Sequence, residues 1–186
     1  MGTSMSSRHE RYSLPMRLLH WLRAVLILGL ITVGWIMVSL ADEVPSKYEV
    51  LYPTHKEFGV LLFLVAVVHM IIRANSNLPK PAPGLAPWEV FLSRNIQRII
   101  MALTLIVPLL GYSMSSSYTQ SDGVPFFFTM LPELLPKNDG NFEIFQWLHK
   151  ILAFTLLGLV AVHVLGALKH RLIDRDPDKD ALRRML

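Results

Sequence analysis

The stretch HKEFGVLLFLVAVVH, residues 55–69, decides how this chain is read. It begins and ends on a histidine, and from Phe58 to Ile72 it carries no Asp, Glu, Lys or Arg. Extended to Arg73, the run falls in the range of roughly 17–25 residues that a helix needs to cross a bilayer. Along such a helix the 14 residues from His55 to His69 return to within roughly 40° of the same face and rise about 21 Å. The two imidazoles therefore belong on one side of one membrane helix, one near each face of a hydrocarbon core about 30 Å thick. That separation is too large for both to bind one metal ion.

The pattern recurs. His149 and His163 are also 14 residues apart, at either end of HKILAFTLLGLVAVH. Four segments qualify as spans: about 18–41, 55–73, 96–117 and 145–168. Pro108 and Gly111 inside the third are tolerable in a membrane helix and can kink it. The expected fold is all-α, a four-helix transmembrane bundle forming a single domain over residues 1–186. The composition agrees, since 52% of the 186 residues are hydrophobic and 17% charged, against about 25% charged in an average soluble domain.

The loops are short and polar. Residues 42–54 carry Asp42, Glu43, Pro45 and Glu49. Residues 74–94 contain the Pro-rich stretch Pro79–Pro87, and 118–143 carry Asp122, Asp139 and Glu143. Phe126, Phe127 and Phe128, close to Leu131, Leu134 and Leu135, suggest a short amphipathic piece at the membrane interface.

The net charge of +4 does not point to nucleic acid once the charges are located. Arg8, Arg11, Arg17 and Arg23 precede or open the first span. Arg73, Lys80, Arg94 and Arg98 flank the second loop, and Lys169, Arg171, Arg175, Lys179, Arg183 and Arg184 follow the fourth span. Only Lys47, Lys56, Lys137 and Lys150 remain for the other side. Because Lys and Arg gather on the cytoplasmic side of short-looped membrane proteins, both termini are expected in the cytoplasm. An Arg-rich start, an apolar run and Ser39-Leu40-Ala41 resemble a cleavable leader. The uncharged stretch Ala24–Ala41 is longer than the roughly 7–15 residues of a leader, however, and cleavage would leave an odd number of spans.

Cysteine is absent. Disulfides, iron–sulfur clusters, thiolate zinc sites and covalently attached c-type haem are thereby excluded. Any metal or cofactor must then be held by His, Met, Asp/Glu or the backbone, and seven histidines occur, His9, His20, His55, His69, His149, His163 and His170. His9 lies in the polar N-terminal arm. The others lie in or beside spans, where ionisable residues are costly and tend to be functional. The topology puts His55 and His149 at one depth, near the periplasm, and His69, His163 and His20 near the cytoplasmic face. Two imidazoles on facing helices suit axial ligation of haem iron. Zinc wants three or four convergent ligands, and the uncharged cores of the spans offer no carboxylate. Spacing alone leaves His20 and His69 as rival partners of His163.

Leu19-His20-Trp21-Leu22, His55-x-x-x-Gly59, Trp147-Leu148-His149-Lys150, and His163 followed by Ala167-Leu168-Lys169-His170-Arg171 and Leu182-Arg183-Arg184-Met185 together resemble the bacterial cytochrome b561 family. That family is related to the haem b subunits of nickel–iron hydrogenases and formate dehydrogenases. The resemblance covers essentially the whole chain and implies a multi-pass protein of the bacterial inner membrane with two haem b groups, exchanging electrons with membrane quinone. Carried over by position, it implies His20 and His163 as ligands of the cytoplasmic haem iron and His55 and His149 as ligands of the periplasmic one. His69 departs from the family pattern and is expected beside the cytoplasmic haem or on a propionate. Lys56 and Lys150, and Arg17, Arg23 and Arg73, are candidate propionate partners, and each is equally readable as a snorkelling charge. Lys169 and His170 are candidates for a ubiquinone pocket.

The leading functional expectation is electron transfer between a periplasmic donor and the ubiquinone pool. Superoxide is one donor proposed in the family, and Lys47, Lys56, Lys137 and Lys150 form the basic patch that would attract it. The alternative is a haem b membrane-anchor subunit that relays electrons for a separate dehydrogenase or periplasmic redox protein. A metal or small-solute transporter is a third, non-redox reading, which the colour of the purified protein decides.

Overall fold

The computed structural model describes residues 11–80, 82, 84–121, 123–174 and 180–186. Arg8, His9, Asp122, Arg175 and Lys179 lie outside the described residues. Four long helices follow one another: α1 (Leu14–Ser39), α2 (Tyr52–Ala74), α3 (Pro87–Ser117) and α4 (Asp139–Leu172). Each is long and apolar enough to cross a membrane. A wide π-helical turn, Lys47–Leu51, leads into α2, and a hairpin of β1 (Val124–Phe126) and β2 (Thr129–Leu131) lies between α3 and α4.

Every helix differs at its ends from the apolar run inside it, because the chain keeps coiling wherever a polar turn can be capped. α1, α2 and α3 each carry Pro in the first turn, where the missing N–H is no loss. α3 begins at Pro87, well before its apolar run, and the Glu89 carboxylate accepts from the Ala86 N–H at 3.0 Å. α4 starts at Asp139 because the Asn138 side chain accepts from the Asn141 N–H at 3.0 Å, an N-cap. With 34 residues, α4 is about 51 Å long and outruns the hydrocarbon core. α3 continues as helix through Pro108.

The helices alternate in direction, so the bundle has a terminal end and a loop end. At the terminal end the Tyr12 N–H donates to the Arg184 carbonyl at 3.2 Å, Trp21 Nε1 donates to the Met185 carbonyl at 3.0 Å, and Lys169 Nζ meets Glu89 Oε1 at 2.6 Å. At the loop end the Asn138 N–H donates to the Ser117 carbonyl at 2.8 Å. The core is a seam of Leu26, Ile27, Leu62, Val65, Ile96, Ile100, Leu103, Val107 and Leu156. Most other large apolar side chains, Val25, Trp35, Ile71 and Leu165 among them, point outward. Lipid-facing surfaces are built this way, since lipid tails are as apolar as a core.

The segment after α3 is a β-hairpin, with Val124 opposite Leu131. Phe127 turns it at φ 51° and sets its ring 5.8 Å from that of Phe58 on α2, while Phe128 is fully exposed. The expected basic patch is smaller than its four lysines suggest. Lys47 is buried and donates to Asp42 and to the Leu40 carbonyl. Lys137 donates to the Tyr118 and Ser121 carbonyls and pairs with Glu133. The hydrogen bonds from Lys47 and Tyr48 hold the exposed Asp42 carboxyl below the ordinary carboxylate range.

Candidate haem-binding site

α3 is the spine to which α4 is attached. α4 packs along α3, while α1, α2 and α3 pack in sequence. α4 buries only Leu156, and it faces α1 and α2 through rings. On this facing side the histidines meet in twos. His55 of α2 and His149 of α4 have ring centroids 6.2 Å apart with planes at 74°. His20 of α1 and His163 of α4 are 6.3 Å apart with planes at 64°. A metal–imidazole bond is about 2 Å, and the ring centre lies about 1.2 Å behind the ligating nitrogen, so two imidazoles on opposite sides of one metal ion stand roughly 6.4 Å apart. Both observed pairs match that span. No cluster of three or more His, Cys, Asp or Glu converges among the described residues, so the arrangement offers two axial donors at each site rather than a tetrahedral set.

The loop-end pair sits in a cradle that sequence reasoning missed. His149 Nδ1 lies 2.9 Å from the Val107 carbonyl, and a Cβ on Gly111, one turn further along α3, would stand 3.2 Å from His149 Cε1. Across the bundle the glycine gap recurs: a Cβ on Gly34 would stand 3.3 Å from His55 Cε1, and His55 Nδ1 is buried there with no hydrogen-bond partner among the described residues. A histidine whose Nδ1 is turned to a carbonyl presents Nε2 to a metal, and such outer partners fix ring orientation. The carbonyl-held His149 ring, the unpartnered His55 Nδ1, the glycine gaps and the facing imidazoles fit a bis-histidine haem. The signal in the sequence was a glycine inside each apolar run, which reads equally well as close helix packing.

These gaps carry a prediction. Gly111→Val is expected to push the His149 ring off its carbonyl, because at 3.2 Å even a methyl group requires the ring to yield. Optical and paramagnetic resonance spectra should then show one of the low-spin haem signals lost or converted to high-spin. Unchanged spectra would mean that the ring does not ligate in this orientation.

The other candidates fall at the terminal end. His69 is 3% exposed with Nδ1 unpartnered; the ring facing His163 is that of His20 instead. Arg23 is also buried, and Arg17 leaves its Nε without a partner. Lys169 is engaged by Glu89, and His170 Nδ1 meets Asp174 Oδ2 at 2.7 Å. That hydrogen bond and the nearby Lys169 charge hold the Asp174 carboxyl below its usual range. At the loop end Lys150 lies 5.5 Å from the Trp147 ring centre.

A family model for prokaryotic cytochrome b561 matches residues 11–186. Among curated proteins the chain is similar to Cytochrome b561 homolog 2 of Escherichia coli (strain K12), with 30% identity over 98% of this chain and 95% of the relative. It is also similar to Cytochrome b561 homolog 1 of the same organism, with 23% identity over 90% of this chain and 93% of the relative.

Proposed function

The chain belongs to the prokaryotic cytochrome b561 family, which makes it a multi-pass bacterial membrane haem b electron-transfer protein, and on that premise we propose that it holds two haems and carries electrons from a periplasmic donor to ubiquinone. His55 and His149 hold the periplasmic haem iron, and His20 and His163 the cytoplasmic one. The observation that carries this reading is the pair of imidazole separations, 6.2 and 6.3 Å, both spanned from α4. Bound haem would supply a one-electron iron couple, and with two imidazoles holding each iron no position would be left for a substrate. The side chains therefore have to hold, orient and insulate rather than make or break bonds.

The Lys and Arg count supports an inner-membrane orientation with the terminal end in the cytoplasm. Lys56 and Lys150 remain on the periplasmic side as partners for propionates or for a small anionic donor such as superoxide, because Lys47 and Lys137 are occupied by Asp42 and Glu133. Arg17 and Arg73 serve the cytoplasmic propionates. Lys169 and His170, lying where α4 reaches the terminal end, are the quinone-side candidates.

A reduced-minus-oxidised spectrum with haem quantitation on purified protein tests the proposal. Two haems per chain are expected, both extracted by acidified acetone because no cysteine can attach a vinyl group. A ratio near one, or haem that stays with the polypeptide, overturns it.

A further inference from the structure

The two histidine pairs differ in one respect that the helices impose. Arg23 lies one turn beyond His20 on α1 and is 8% exposed, inside the bundle rather than at its rim. Its hydrogen-bond partner among the described residues is the Met101 thioether on α3, and the neighbouring charge that acts on it is Arg73 on α2, of like sign. Arginine remains protonated in proteins, so a positive charge is fixed here, and no carboxylate among the described residues bonds to it. His20, His69 and His163 all feel that charge. At the other pair His149 Nδ1 faces the Val107 carbonyl, and Lys150, the next residue along α4, turns its ammonium to the Trp147 ring, 5.5 Å from the ring centre.

We propose that Arg23 holds the haem between His20 and His163 at a higher reduction potential than the haem between His55 and His149, and so makes electron flow toward the terminal end downhill. The inference rests on the two-haem reading above. Ferric haem carries one more positive charge than ferrous haem. A buried cation beside one iron therefore favours its reduced state, and buried, poorly screened sites feel such charges strongly. In the transfer, one haem goes from ferrous to ferric and the other from ferric to ferrous, with no bond made or broken. Arg23 supplies the bias and takes no part in the exchange, so it is a positioning charge and not a ligand.

The test is a spectroscopically monitored redox titration of the purified holoprotein and its variants. Haem quantitation comes first, and a ratio near one haem per chain would remove the two-haem reading before Arg23 is tested at all. With two haems present, Arg23→Gln should lower the midpoint of the higher-potential component by at least a tenfold change in its reduction equilibrium, about 59 mV for a one-electron couple. The lower component should stay in place, and Arg23→Lys, which keeps the charge, should retain most of the gap. An independent reading comes from His149→Ala, which keeps Arg23. The haem remaining in that variant should be the higher-potential one. Equal shifts of both midpoints in Arg23→Gln, no shift in either, or a low-potential haem left in His149→Ala would each overturn the proposal.

Discussion

His149→Ala is expected, on the two-haem proposal, to cut the haem content from two per chain to one. The His149 ring faces the His55 ring at 6.2 Å, and the side chain reaches that position only because Gly111 leaves room and the Val107 carbonyl receives Nδ1. Alanine removes the donor and leaves the cradle with nothing to orient. A haemochrome assay should fall by half, and the low-spin signal of the periplasmic haem should vanish or become high-spin. His55→Ala should do the same, and the double variant should lose no more than either single one, since on the proposed ligation both rings serve one iron and such losses are not additive. The helices should survive. The contacts of α4 run mainly along α3 through Leu103, Val107 and Leu156, and the loop end is held separately by Asn138 and Thr119. Two haems retained in His149→Ala would mean that another residue holds that iron.

The parts of the fold that could be read from the sequence are those that depend on long periodic signals. Four long apolar runs gave four helices, and a repeated interval of 14 residues placed histidines at two levels of the bundle. Both follow from the geometry of a single helix and need no knowledge of its neighbours. What could not be read depends on contacts between distant segments. The extension of α3 back to Pro87 rests on Glu89, which also takes Lys169 from 80 residues away. The capture of Lys47 by Asp42 and of Lys137 by Glu133 turned expected surface charge into loop anchoring. The hairpin at 124–131 carried only three-residue strands, too short for alternation to register. Gly34 and Gly111 were visible as residues but not as sites, because their role appears only when a ring from another helix enters the gap. Arg23 is the reverse case. Its position near the start of an apolar run suggested a charge reaching toward the membrane face, yet the side chain is buried between α1 and α3 beside Met101.

His20→Ala is expected to abolish the low-spin signal of the cytoplasmic haem, and His69→Ala to preserve it. Spacing placed both histidines at the depth of His163 and left the choice open. The distinction comes from which helix each ring faces. His20 projects from α1 toward α4 and stands 6.3 Å from His163. His69 projects from α2 into the buried region where Arg23 and Arg73 act on it. Loss of an axial ligand takes one bond from a six-coordinate iron, so the haem departs or turns high-spin. Loss of a neighbour alters only the field and hydrogen bonds around the iron, and its spectrum or midpoint shifts modestly. Haem quantitation with paramagnetic resonance on the two variants separates these outcomes. Reversed results would place the iron between α2 and α4 alone, with both haems held by the two histidine pairs 14 residues apart. If both variants keep two low-spin haems, the ligand must be sought in His170, whose Nδ1 is already turned to Asp174 and whose Nε2 is therefore the nitrogen available to a metal.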